Sequence, residues 1–136
     1  ANVGNAAATL DGIAVVLVNG GDGAEYDRVA LTGTLAAGGH LKVDVEPQNG
    51  PDGVALVDTA AGTLLDALSY EGEIRAATIG ASTFDLVEGT ATTAADSNAE
   101  PGSLSRLPDG TDTDDAASDW AFTQTPTPGA ANVAAP

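Results

Sequence analysis

Ile13-Ala14-Val15-Val16-Leu17-Val18, then Asn19-Gly20-Gly21-Asp22-Gly23, then Tyr26-Asp27-Arg28-Val29-Ala30-Leu31 is the stretch that decides the fold. The first piece is a short apolar run rich in β-branched residues, which suit a pleated strand. The second supplies residues that tolerate positive φ, the chemistry of a tight turn. The third alternates, with Tyr26, Arg28 and Ala30 on one face and Asp27, Val29 and Leu31 on the other. That period of two is the mark of a half-buried strand.

The same grammar continues outward from this hairpin. Ala36-Ala37-Gly38-Gly39 makes a turn, after which Leu41, Val43 and Val45 share a face and predict another strand. Asn49-Gly50-Pro51-Asp52-Gly53 leads into the apolar run Val54–Val57; Asp58–Gly62 interrupts, and Thr63–Tyr70 restarts with Leu64, Leu65 and Leu68. Runs at such short spacing belong to sandwiches and barrels. Residues 71–102 read as a long connection with one short strand and a short helix around Ala94–Glu100, closed by Pro101-Gly102. No internal repeat and no interdomain linker is visible. The expectation is one domain over residues 1–132, with 133–136 as a tail.

Composition narrows the function classes. The 136 residues include 20 Asp and Glu against 4 Lys and Arg, a formal net charge of −16, with no cysteine and one histidine, His40. Disulfides, thiolate metal sites and any site needing two histidines are therefore excluded. Arg28, Lys42, Arg75 and Arg106 are too few for a basic nucleic-acid patch, and direct nucleic-acid affinity would oppose the net charge. No apolar run approaches the ~20 residues of a membrane helix. The acidity keeps the chain soluble and suits salty or calcium-containing surroundings. Interleaved apolar runs argue against disorder.

Four stretches together resemble the bacterial lamin tail domain. They are Gly33-Thr34-Leu35-Ala36-Ala37-Gly38-Gly39-His40-Leu41; Asn49 through Asp58, continuing from Leu65 to Tyr70; Ser103-Leu104-Ser105-Arg106 through Asp109-Gly110-Thr111-Asp112 to Asp119-Trp120; and Thr127-Pro128-Gly129-Ala130-Ala131-Asn132. The resemblance implies an all-β, immunoglobulin-like β-sandwich and a non-catalytic accessory module of secreted or surface proteins. In bacteria such modules often stand beside nuclease or phosphatase domains, and in nuclear lamins the related domain binds partners. Family members open with one or two further strands, whereas Ala1-Asn2-Val3-Gly4-Asn5 resembles only the last residues of that opening. The expectation is that these N-terminal strands are missing or supplied by another chain through β-addition, since a bare edge leaves N–H and C=O groups unpaired. Ala6-Ala7-Ala8-Thr9-Leu10 and Val133-Ala134-Ala135-Pro136 are the candidate exchanged segments.

Asp109, Asp112 and Asp114 are the candidate metal ligands, for calcium, with a carbonyl of Thr111 or Thr113 as a further oxygen; the alternative is a solvated acidic loop capping its own turns. Asp22, Glu25 and Asp27 read as hairpin chemistry, and Gly20-Gly21-Asp22-Gly23 lacks the Lys-Ser/Thr end of a phosphate loop. No Gly-x-Ser-x-Gly elbow presents Ser103 or Ser105 as a nucleophile, so no catalytic residue is assigned. Trp120, Phe122 and Tyr70 are expected to anchor a small core, with Trp120 and Phe122 on one side of a strand, and Arg106 to pair with a nearby Asp. The function expected is a non-catalytic extracellular or cell-surface assembly module, a homopolymer or surface-layer subunit whose partners are copies of itself or another surface protein. The alternative is an accessory binding domain of a larger secreted nuclease or phosphatase.

Overall fold

The computed structural model describes residues 1–134. Its spine is a four-stranded antiparallel sheet in the order β3-β2-β5-β6, built from β2 (Ile13–Asn19), β3 (Glu25–Ala30), β5 (Asp52–Asp58) and β6 (Thr63–Tyr70). The hairpin read from the sequence is β2 paired with β3, and β2 then pairs along its whole length with β5, from Ile13 opposite Asp58 to Asn19 opposite Asp52. A strand flanked on both sides and packed on both faces needs apolar residues at consecutive positions. This accounts for the unbroken run in β2, where Val16, Leu17 and Val18 are all buried. Around the sheet stand three two-stranded pieces: β1 (Ala8–Thr9) with β4 (Thr34–Leu35), β7 (Ala77–Ile79) with β8 (Ser82–Phe84), and β9 (Ser103–Arg106) with β10 (Trp120–Thr123). The only helix among the described residues is one turn, α1 (Ala116–Asp119). The chain is all-β and sandwich-like.

The sheet has two unlike faces. Ala14, Val16 and Val18 of β2, Ala55 and Val57 of β5 and Ala67 of β6 pack against Ile74, Ala77, Ile79 and Leu86 to form the main core, with Leu64 and Phe84 at its margin. Leu64 and Ala67 reach the same side because the β5/β6 register shifts between Leu56 and Val57, leaving Leu65 without a cross-strand partner. A bulge of this kind turns the extra side chain out of the pleat, and Leu65 is 48% exposed. The opposite face carries Val15, Val54, Leu56, Asp66, Leu68 and Tyr70, and above it stands the β9–β10 hairpin.

Two local expectations are corrected, and the candidate exchange segments are placed. The segment carrying Leu41, Val43 and Val45 joins no ladder: Val43 and Val45 are half-buried between exposed neighbours, but Leu41 is itself 46% exposed. The helix around Ala94–Glu100 does not form, and the connection 71–102 holds two short strands, β7 and β8, where one was expected. Proposed as an exchange segment, Ala6–Leu10 is engaged within its own chain. Ala8 and Thr9 pair with Leu35 and Thr34, Leu10 donates its N–H to the Gly33 carbonyl at 2.8 Å, and the Asn2 side chain donates to the Leu35 carbonyl at 2.9 Å. The C-terminal exchange segment lies partly outside the described residues; within them, the Thr123 hydroxyl donates to the Val133 carbonyl at 3.5 Å.

Candidate functional site

The hairpin is fastened to the sheet through one side chain. In β9, Arg106 sits opposite Trp120 of β10, and Leu104 opposite Phe122, so these four side chains share the face turned toward the sheet. The two aromatics therefore lie on one side of a strand, as the alternation predicted. The guanidinium of Arg106 is stacked 5.0 Å from the Trp120 ring centroid, a cation–π arrangement. It donates from Nη2 to Asp66 of β6 at 2.6 Å and to Glu88 at 3.1 Å, and from Nη1 to the Thr111 carbonyl at 3.0 Å. Asp112 at 3.0 Å and Asp119 at 3.3 Å complete its surroundings. Arg106 thus pairs with nearby Asp112 and Asp119, as expected, and with only 9% of its side chain exposed it is also a buried hub.

One positive charge faces four carboxylates, and each carboxylate solves the shortage differently. Asp119, fully buried at the end of α1, accepts the Thr113 amide and hydroxyl, both at 2.8 Å, as well as Arg106. Those donors, the Thr113 amide foremost, hold its pKa below the usual carboxylate range. Glu88 goes the other way. Burial and the charge of Asp66 outweigh the Ala67 amide and Arg106, and its pKa is pushed up to about 7. The guanidinium is shared too widely to offset the burial of Glu88.

The sign of the resulting pH dependence follows from linkage. Between the unfolded glutamate range and about 7, the folded chain holds a proton at Glu88 that the unfolded chain has released. Stability from this group is therefore present at mildly acidic pH and lost as pH rises toward neutrality. Glu88→Gln, which mimics the protonated acid, is expected to flatten that slope and stabilise the chain at pH 8 by on the order of 1–3 kcal/mol. Chemical denaturation at pH 5 and pH 8 measures it; equal slopes in the two proteins would contradict the assignment.

The three candidate metal ligands do not stay together. Asp109 turns away and fastens the C-terminal segment, its Oδ2 2.9 Å from His40 Nε2 and its Oδ1 accepting the Asn132 amide at 2.8 Å. The Asn132 amide, with His40, lowers the Asp109 pKa. Asp112 and Asp114 do converge, with Glu88 as the third member, their carboxylate oxygens within 4.8 Å of one another. Asp114 adopts a left-handed backbone, φ 55. An oxygen-only set suits calcium, which needs six to eight oxygens, so three carboxylates would leave several positions to carbonyls or water. Glu88 was not legible as a member, because it lies far from the aspartate loop in sequence and nothing in its neighbours announces a ligand.

The tyrosines form a second polar cluster, on the same sheet face. Asp52, fully buried, accepts the Tyr26 hydroxyl at 2.6 Å and the Tyr70 hydroxyl at 3.1 Å on Oδ2, which also takes the Gln48 amide at 3.2 Å. Burial and the Asp52 carboxylate push the Tyr26 pKa up to about 12 and raise that of Tyr70 further. Neither tyrosine is poised to lose its proton near neutral pH. Asp52 Oδ1 and the Trp120 indole N–H are buried without a hydrogen-bond partner among the described residues.

Between the two clusters the sheet and the hairpin do not close. A cavity of about 490 Å³ lies over Val15, Val54, Leu56 and Leu68, walled by Leu104 and Trp120 of the hairpin. It follows β6 from Asp66 to Tyr70, a span of about 13 Å at the usual strand rise. A second hollow of about 450 Å³ adjoins it and shares Asp66, Leu104 and Trp120.

The fold and this site define an all-β, sandwich-like protein with an apolar groove between sheet and hairpin. No family model, no curated protein and no solved structure matches the chain.

Proposed function

We propose that the chain is a non-catalytic binding module of a secreted or cell-surface protein, and that the groove between the sheet and the β9–β10 hairpin is its contact site. One observation carries the reading: the groove's size falls within the roughly 300–1,000 Å³ typical of ligand sites, and its walls are mainly apolar. The likeness to the lamin tail domain, with its immunoglobulin-like sandwich, points the same way, since that family contributes accessory modules rather than catalysts. The binding-domain reading is preferred to the homopolymer because residues 2–10, which strand exchange would draw on, already hydrogen-bond within the chain.

The test is an amide chemical-shift map of the labelled protein with octyl glucoside, a neutral amphiphile, below its micelle concentration. Binding is expected to move Val15, Leu56, Leu68, Leu104 and Trp120 as a cluster. Shifts scattered over the surface, or none, would contradict the reading. Sedimentation velocity of the same sample is expected to give a monomer; concentration-dependent polymers would return the homopolymer to first place.

A further inference from the structure

The groove's chemistry is more specific than apolarity. No basic residue lines it, and a carboxylate stands toward each end: Asp66 at one, Asp96 at the other. Asp96 stands beside Glu71, whose pKa its carboxyl raises. Behind the same end lies buried Asp52, bonded to the groove residue Tyr70. Behind the other lie Glu88, Asp112 and Asp119, with only Arg106 to offset them.

Asp66 is answered by Arg106 at 2.6 Å, but no Lys or Arg is left for the Asp96 end. Arg28 is bound to Glu25 at 2.6 Å, Lys42 to Asp44 at 2.7 Å, and Arg75 to Glu73 at 2.9 Å and Asp85 at 3.2 Å. Arg106 is committed to its own cluster. A cleft with low-dielectric walls and charge of one sign concentrates ions of the opposite sign. Of its aromatic residues, Trp120 already carries the Arg106 guanidinium, whereas Tyr70, beside the Asp96 end, is a side chain that favours organic cations.

We infer that the groove binds a small organic cation with an apolar body, an alkyl- or arylammonium, whose hydrocarbon part lies over Leu56 and Leu68 and whose charge is held at the Asp96 end, Asp66 being already paired with Arg106. The inference rests on the proposed function, and its test separates the two. Trp120 is the chain's single tryptophan and lines both the groove and the adjoining hollow, so its fluorescence reports these two spaces, and the Asp96 variant, which touches only the groove, tells them apart. It would be titrated with octyltrimethylammonium, octyl glucoside and octyl sulfate, each below its micelle concentration. The expected result is a saturable change with the ammonium at a concentration at least about tenfold lower than with the sulfate, the advantage shrinking at ~1 M salt, where the Debye length falls to roughly 3 Å. The double variant Asp96→Asn, Glu71→Gln, at two exposed positions, is expected to lose much of that advantage while still binding octyl glucoside. Equal affinities for all three probes, or an advantage the variant keeps in full, would overturn the cation inference and leave the binding reading standing. No response of Trp120 to any probe would overturn both.

Discussion

Arg106→Ala is expected to be among the most destabilising single substitutions in this chain, costing about 3–5 kcal/mol. The guanidinium is buried, so its removal is not the loss of a surface pair. It leaves Asp66, Glu88, Asp112 and Asp119 facing one another with no cation among them. Buried Asp119 keeps its Thr113 donors, but the group as a whole repels itself. The alanine also uncovers the face of Trp120 and frees the hairpin from β6. For a domain of this length the melting temperature should fall by roughly 10–20 °C. High salt should recover part of the loss by screening the carboxylates. Arg106→Lys should recover less than half, because an ammonium cannot serve Asp66, Glu88 and Asp119 as a planar fork does. A loss under about 1 kcal/mol, the usual worth of an exposed pair, would show that the cluster is solvated.

Leu86→Ala should cost about 2–5 kcal/mol by opening a cavity under the sheet. Leu86 is completely buried in the main core, and its amide is fixed to the Ile74 carbonyl at 2.9 Å. It also explains a glycine in the middle of β5. A Cβ on Gly53 would lie 2.8 Å from Leu86 Cδ1 and 3.1 Å from Ile74 Cδ1, closer than packed carbons approach. Gly53→Ala alone should therefore destabilise, since neither neighbour has free space to yield. In the Leu86→Ala background the same methyl enters the vacated space, so the double variant should be more stable than the sum of the single losses predicts. Simple additivity in the thermodynamic cycle would mean that the two sites do not touch.

The sheet was legible in the sequence because its signals are local. The apolar run of β2, the glycine-rich turn after it and the alternation of β3 need no knowledge of distant residues. Where a distant partner decides the outcome, the reading failed. Leu41, Val43 and Val45 carry a strand's alternation, yet a strand needs hydrogen-bonded partners, and none of the three pairs in a ladder. The site was legible only in part for the same reason. Asp112 and Asp114 lie close in sequence and stay close in space, whereas Asp109 is drawn off by His40 and Asn132. Glu88 and Asp66 come from separate elements, and only the approach of β6, the 85–88 segment and β9 makes them neighbours of Arg106. The groove was not legible at all, since a space left between two layers has no residue pattern of its own.

The account stands on an open, acid-flanked groove with Trp120 in its wall, and quenching of the Trp120 fluorescence tests that most directly. Acrylamide, which is small and neutral, is expected to quench it readily in the native chain, and the ratio of caesium to iodide quenching is expected to exceed that of free N-acetyltryptophanamide at equal ionic strength. An indole that acrylamide reaches only after unfolding would mean that sheet and hairpin close upon each other and that no such groove exists, and a caesium-to-iodide ratio equal to that of the free indole would mean that the groove is not acid-flanked.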